Sequence, residues 1–494
     1  MNKKTAALVI LLCVAAAVAY GALYYNGYLD MDVYEYDSSL YCFEDEWVYS
    51  VYDGKAEIDS CLRVAGTVLD IPEALGGYPV VSLGWSIIND KQAARITEIN
   101  VPDTLVYFRA LNFVTTKWYE NQPDGVVYLG DIAIGIKGEP ADGKLIIKEG
   151  TKVIASGAFR HEDSISQAVL PSTLEIIDTD AFKACDNLKR INIPDSVREI
   201  NSCAFEDCTK LSVIETSNTV ADIDGYAFFG ALWQEQQNSD FITLCGNLMA
   251  YSRYENDGQD VYIDEGIRSI KNFAFELCEN MGIIHIPEGC IDISEWAFQD
   301  SSFAGFSVDE DNTAYMSDEA GNLYSKDKTR LIRYASLNES REFTVPDSVT
   351  YIADEAFSNA EYLERIYIHG NVTHIGEDAF YKTTALTDIV VSENNAEYKS
   401  IDGVLFNKSG DLLICYTNGS AEKSYTIPDG VTEVTDWAFA YCEHIEEIVI
   451  PDSVERIGSI LSCKNLNYSG LNSDREEFVA DIFLQNCGVD YTEE

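Results

Sequence analysis

AFKACDNLKRINIPDSVREINSCAF, residues 181–205, decides the fold. With Phe182 as position zero, apolar side chains fall at plus 6 (Leu188), plus 9 (Ile191), plus 11 (Ile193), plus 15 (Val197) and plus 18 (Ile200). The Ala-Phe pair returns at Ala204-Phe205, 23 residues on, and again at Ala227-Phe228, after another 23. A fixed period of about 20–50 residues marks a chain of stacked supersecondary units. Within the unit, Ile191 and Ile193 alternate as a half-buried strand requires. Pro194 then removes a backbone donor and stops the strand, and Asp195-Ser196 supplies turn chemistry. Val197 and Ile200 return the chain to the core. Ala204 is small enough for the backbone to pass close to the next coil, and Phe205 fills the widest part of the interior.

The same frame places Phe113, Phe159, Phe275, Phe298, Phe357, Phe380 and Phe439 at position zero. The wider gaps also recur: Phe113 to Phe159 is 46 residues and Phe228 to Phe275 is 47. Both of these units carry a tryptophan at plus 5, Trp118 and Trp233. Phe298 to Phe357 and Phe380 to Phe439 are both 59 residues, and contain the related strings GNLYSKDKTRLIRY and GVLFNKSGDLLICY. The pattern predicts a mostly β solenoid with short turn and helical pieces, built of 23-residue units and longer 46/47- and 59-residue modules. Stacked coils put equivalent residues ~4.8 Å apart, so the phenylalanines should form an axial column in one shared interior. Each buried ring then contributes roughly 1.5–3 kcal/mol. No unit buries its own face, so stability comes from neighbours.

The motif L-x-x-I-x-I-P-[DE]-[SG]-V-x-x-I-x-x-x-A-F-x-x-C resembles the treponemal-type leucine-rich repeat of BspA-like surface proteins. The likeness runs over residues 71–466. IPEALGGYPVVSLG, residues 71–84, resembles the opening repeat of that family, and WVYSVYDGKAEI, residues 47–58, its capping hairpin. The resemblance implies a right-handed solenoid on an exported bacterial protein that binds rather than catalyses. Its motif names structural positions only and carries no catalytic or ligand residue across.

The chain divides into residues 1–29, 30–70, 71–466 and 467–494. In the first segment, Lys3 and Lys4 precede an uncharged run over residues 5–29. Two readings stand: an uncleaved transmembrane anchor with the lysines inside, or a signal peptide cut after Ala17-Val18-Ala19. Both export the remainder to the cell surface or beyond. Residues 30–70 read as a hairpin cap turning at Asp53-Gly54, needed because an open solenoid end exposes core. The last segment, from Ser473 with Glu476 as a capping box, reads as a capping helix. Net charge is −49, from 34 basic and 83 acidic residues, which excludes nucleic acid as a partner.

Of 13 cysteines, Cys185, Cys208, Cys278 and Cys442 occupy plus 3 and Cys290 plus 15. These are repeat positions, read as small buried thiols. Cys42 with Cys61 and Cys463 with Cys487 are the disulfide candidates. No catalytic constellation emerges. Residues 138–144 start like a phosphate-binding loop, but Leu145 stands where Ser or Thr is required. The histidines are scattered, with neither a metal spacing nor a nucleophile elbow, so no cofactor and no metal is expected.

The site expectation is therefore a surface. Outward residues of parallel strands align across coils into an extended binding face. The plus-8 column includes Arg190 and Arg365, and the plus-10 column includes Asn192, Glu215, His285 and Tyr367. The expected role is adhesion to, or recognition of, a protein or glycan on a host or neighbouring cell. A structural spacer on the envelope is the alternative, and a hydrolase grafted on a solenoid the remote one.

Overall fold

The computed structural model describes residues 42–458 and 467–469, apart from 65, 85, 218, 219, 238, 254, 255 and 443. The expected export segment, the capping helix after Ser473 and the Cys463–Cys487 pair lie outside these residues.

Each 23-residue coil has three sides. The alternating run becomes a four-residue strand, Arg190–Ile193, paired in parallel with Val213–Thr216 of the next coil so that Arg190 faces Val213 and Asn192 faces Glu215. After the proline turn comes a two-residue strand, Glu199–Ile200, in register with Asp222–Ile223. The third side is the Ala-Phe turn. There Asp180, Phe182 and Ala184 donate their N–H groups to the carbonyls of Ser202, Ala204 and Glu206 in the next coil, at 3.1, 2.8 and 2.8 Å. Left-handed residues on either side of Phe182, Asp180 (φ 58°) and Ala184 (φ 55°), hold those alternate amides toward the neighbour. Each such non-glycine residue costs about 1–2 kcal/mol, offset by the hydrogen bonds it directs.

The ten rung phenylalanines are buried, from Phe113 to Phe439. Rings stack at 5.1 Å (Phe159–Phe182), 5.2 Å (Phe182–Phe205) and 4.9 Å (Phe205–Phe228). The plus-3 cysteines have a directional role besides filling space: Cys185 Sγ donates to Phe159 O at 3.0 Å and Cys208 Sγ to Phe182 O at 3.1 Å. Burial pushes the Cys208 thiol up to about 12, so these cysteines stay protonated and unreactive. Cys42 and Cys61 are both free. Cys42 pairs with Tyr49 while Cys61 pairs with Trp47, on opposite flanks of the strand Trp47–Tyr52. Two strand spacings separate them, beyond the reach of a disulfide.

The single phenylalanine column is corrected. Every long unit contains an antiparallel hairpin that starts a new sheet. Gly125–Leu129 with Ile132–Lys137, and Phe241–Leu244 with Asn247–Tyr251, occupy the 46- and 47-residue units. The 59-residue units hold three-stranded meanders, Tyr315–Ser317, Leu323–Ser325 and Arg330–Arg333, then Tyr398–Ile401, Val404–Asn407 and Leu412–Cys415. Beyond three of the four hairpins a tyrosine takes the rung: Tyr251 against Phe275 at 5.2 Å, Tyr334 against Phe357 at 5.6 Å and Tyr416 against Phe439 at 5.2 Å. Each donates its N–H to the alanine carbonyl of the next coil, as the phenylalanines do.

The interior is likewise divided among the described residues into four clusters whose borders fall on hairpins. Leu248 belongs to one cluster and Met249 to its neighbour, because successive residues of a strand point to opposite faces. Asn312 and Asn395 hold the two meanders in place identically. Asn312 Nδ2 donates to Pro287 O and Cys290 O, and its Oδ1 accepts from Ala314 N and Tyr315 N. Asn395 does the same with His369, Val372, Glu397 and Tyr398.

Candidate functional site

The plus-8 and plus-10 residues stand on the outer face of the long strands, none of them buried. They fall on three separate sheets: Arg190, Asn192 and Glu215 on one, His285 on the second, Arg365 and Tyr367 on the third. Several are already engaged. Asn192 Oδ1 accepts from Leu170 N at 2.9 Å and its Nδ2 donates to Leu170 O at 3.1 Å, so this amide braces the preceding coil. Arg190 Nε lies 3.6 Å from Glu215 Oε1. His285 stacks on Tyr262 at 4.1 Å, with Nε2 3.6 Å from Asp260 Oδ2. Arg365 sits between Glu342 at 3.1 Å and Asp388 at 2.9 Å. Tyr367 lies between Thr344 and Val390 in the parallel register. Exposed ion pairs of this kind are worth little, typically ~0–1 kcal/mol, so a partner can reorganise them at small cost.

A second surface lies on the short-strand side, where the chain crosses the 47-residue unit. An open groove of about 410 Å³ is lined by Asn201, Asp222, Asp224, Lys271, Asn272 and Asp292, with flanking serines and a threonine. Lys271 forms its floor, only 8% exposed. Its Nζ lies 2.7 Å from Asp222 Oδ1, across the junction, and 3.5 Å from Asp292 Oδ2. Both carboxylates remain open to solvent, at 68% and 65% side-chain exposure. Gly225 lets the coils close there: a Cβ would stand 1.9 Å from Asn272 O. Beside the groove, Tyr226 and Phe273 stack at 4.5 Å, and the Tyr226 hydroxyl donates to Glu276 Oε2 at 2.6 Å.

Sequence reading passed over this groove. Its signal was the column four residues before each rung. That column is Arg109, Ala155, Ala353, Gly376 and Thr435 elsewhere, but runs Asp178, Asn201, Asp224, Lys271 and Ser294 without a break through this stretch. Asp178 donates nothing to the opening. Burial raises its pKa, and it accepts from Asn201 Nδ2 at 2.9 Å.

Among the described residues one trio has metal-ligand types in reach, Asp180, Cys203 and Glu206. Lys183 Nζ lies 2.5 Å from Glu206 Oε2 and 3.7 Å from Asp180 Oδ1, and Arg160 lies 3.0 Å from Asp180. An ammonium thus already supplies the positive charge to these carboxylates. The segment at 138–144 contains a single 3-10 turn, Ala141–Gly143, and runs directly into the strand Lys144–Ile146 rather than into an α-helix whose N-terminus could cradle a phosphate. Among the described residues no helix is long and apolar enough to cross a membrane.

Solved structures to which the chain is similar include a leucine-rich repeat protein from Eubacterium ventriosum, 19% identical over 67% of this chain and 92% of its own, TM-score 0.34. A leucine rich cell surface protein from Faecalibacterium prausnitzii is 22% identical over 90% of this chain and 98% of its own, TM-score 0.26. The T. pallidum leucine rich repeat protein is 18% identical over 38% of this chain and 87% of its own, TM-score 0.20. No curated protein matches the chain. The model of the BspA type leucine rich repeat region matches in six copies over residues 143–243, 247–326, 311–421 and 415–491, more than half of the sequence. With the 23-residue coil and its Ala-Phe ladder, that match places the chain in the BspA-type leucine-rich repeat family.

Proposed function

We propose that this is an exported surface protein, tethered by residues 5–29 if that segment is retained, which recognises a protein or glycan on a host or neighbouring cell. The observation that carries the reading is register. Parallel pairing sets Glu342, Arg365 and Asp388 in one row and Thr344, Tyr367 and Val390 in the next. Arginine and tyrosine are the residue types that anchor interfaces, and a repeated rigid scaffold presents them without ordering cost. The bacterial surface-type character of the family supports the location, and the acidic surface favours partners that are not themselves strongly anionic.

The test is capture from host-matrix and bacterial-surface extracts with the wild-type chain and with Arg365→Glu combined with Tyr367→Ala. Both side chains are partly exposed, so the double variant should fold and lose its ligand. Retention of every captured partner refutes recognition through this face and leaves the spacer reading, in which the coils only extend outward from the envelope.

A further inference from the structure

We infer that the groove at Lys271 is a binding site for an uncharged oligosaccharide. This refines the recognition reading, but it uses the short-strand side of the coil rather than the rows around Arg365.

The chemistry of the walls narrows the ligand. Carboxylates, amides and an ammonium line the opening, which does not suit a lipid or an apolar side chain. Three carboxylates, Asp222, Asp224 and Asp292, face one ammonium, so phosphate, sulfate and uronate groups meet net repulsion. A basic peptide would have to compete with Lys271, which already lies between Asp222 and Asp292; the hexalysine arm of the test below measures that competition. Sugar hydroxyls both donate and accept. They can donate to the exposed carboxylates of Asp222 and Asp292, which the Lys271 ammonium draws to either side of the opening. Hydrogen bonds to charged groups are the stronger kind. The half-buried Tyr226–Phe273 pair adds an apolar shoulder beside the polar wall.

The full chain in detergent would be titrated with neutral hexasaccharides of the gluco, manno, galacto and N-acetylglucosamine series, followed by saturation-transfer NMR and calorimetry. A heparin hexasaccharide and hexalysine form parallel arms. At least one neutral series should bind and the heparin fragment should not. Asp222→Asn and Asp292→Asn should each weaken binding about tenfold, equivalent to roughly 1.4 kcal/mol, with hydrogen-exchange protection of the flanking coils retained. Lys271→Met should abolish binding, and the two asparagine variants keep the test decisive if it misfolds. Arg365→Glu with Tyr367→Ala should leave saccharide affinity unchanged. The inference is overturned if no neutral series binds, if hexalysine binds in preference, or if saccharide binding ignores both asparagine variants.

Discussion

Replacing Phe205 by alanine tests the coil architecture most directly. The ring is fully buried, between Phe182 at 5.2 Å and Phe228 at 4.9 Å, with planes within 8° of both. Truncating a buried phenylalanine costs about 3–5 kcal/mol. The upper part of that range applies here because the backbone is pinned. Phe182 N donates to Ala204 O at 2.8 Å and Phe205 N to Ala227 O at 2.7 Å, so the coils on either side cannot collapse into the void. A loss of about 4 kcal/mol corresponds to roughly a thousandfold in an opening equilibrium. A global melting curve is the wrong measurement, since repeat arrays need not unfold as one unit. Hydrogen exchange read by mass spectrometry resolves the coils. Amides between residues 176 and 228 should exchange about a thousandfold faster in the variant, while those around Phe380 and Phe439, beyond further hairpins, should not change. An increase of less than tenfold at the Phe205 coil would refute the packing argument. An equal increase at Phe439 would refute the division of the core.

Two further outcomes follow from buried polar groups. Tyr334 takes a rung that phenylalanine holds elsewhere, and its buried hydroxyl has no hydrogen-bond partner among the described residues. Tyr334→Phe should therefore raise the local stability by about 1 kcal/mol, measured by exchange protection of the Phe357 coil; a loss of that size would disprove the orphaned hydroxyl. Burial, with repulsion from Glu355, pushes the Asp378 carboxyl up to about 8 from an ordinary value near 3.8. At this group the folded chain therefore binds more protons than the unfolded one between these values, so the Asp378 contribution to stability is full below about pH 4 and is lost as pH rises toward 8, by on the order of 1 kcal/mol per pH unit. Asp378→Asn should flatten that decline in urea titrations at pH 5 and pH 8, and an unchanged slope would remove Asp378 as its source.

The repeat was legible because one physical demand recurs in each coil. A wedge must be buried at Phe182, a strand stopped at Pro194 and a close backbone approach allowed at Ala204, so the residues meeting these demands return every 23 positions. The tyrosine rungs were less legible. Tyr334 and Tyr416 belong to strings recognised as related, but their position on the column depends on how the meanders fold back. The expected surface residues were legible as outward columns, yet which were committed was not: the amide of Asn192 looks identical in sequence whether it faces a ligand or braces Leu170. The Cys42–Cys61 pairing failed because nearness in a cap sequence says nothing about which flank of a strand each thiol occupies.

By itself the sequence determined the coil, its period, its core ladder and the family, since these depend on contacts between equivalent residues at a constant separation. The tertiary structure alone decided where the stack is interrupted and what meets across each interruption. Asp222 and Lys271 are 49 residues apart, a spacing outside the repeat, and only the insertion of a hairpin between coils brings that carboxylate to that ammonium. A periodic pattern encodes what is the same in every coil, whereas a binding groove is built from what differs between them.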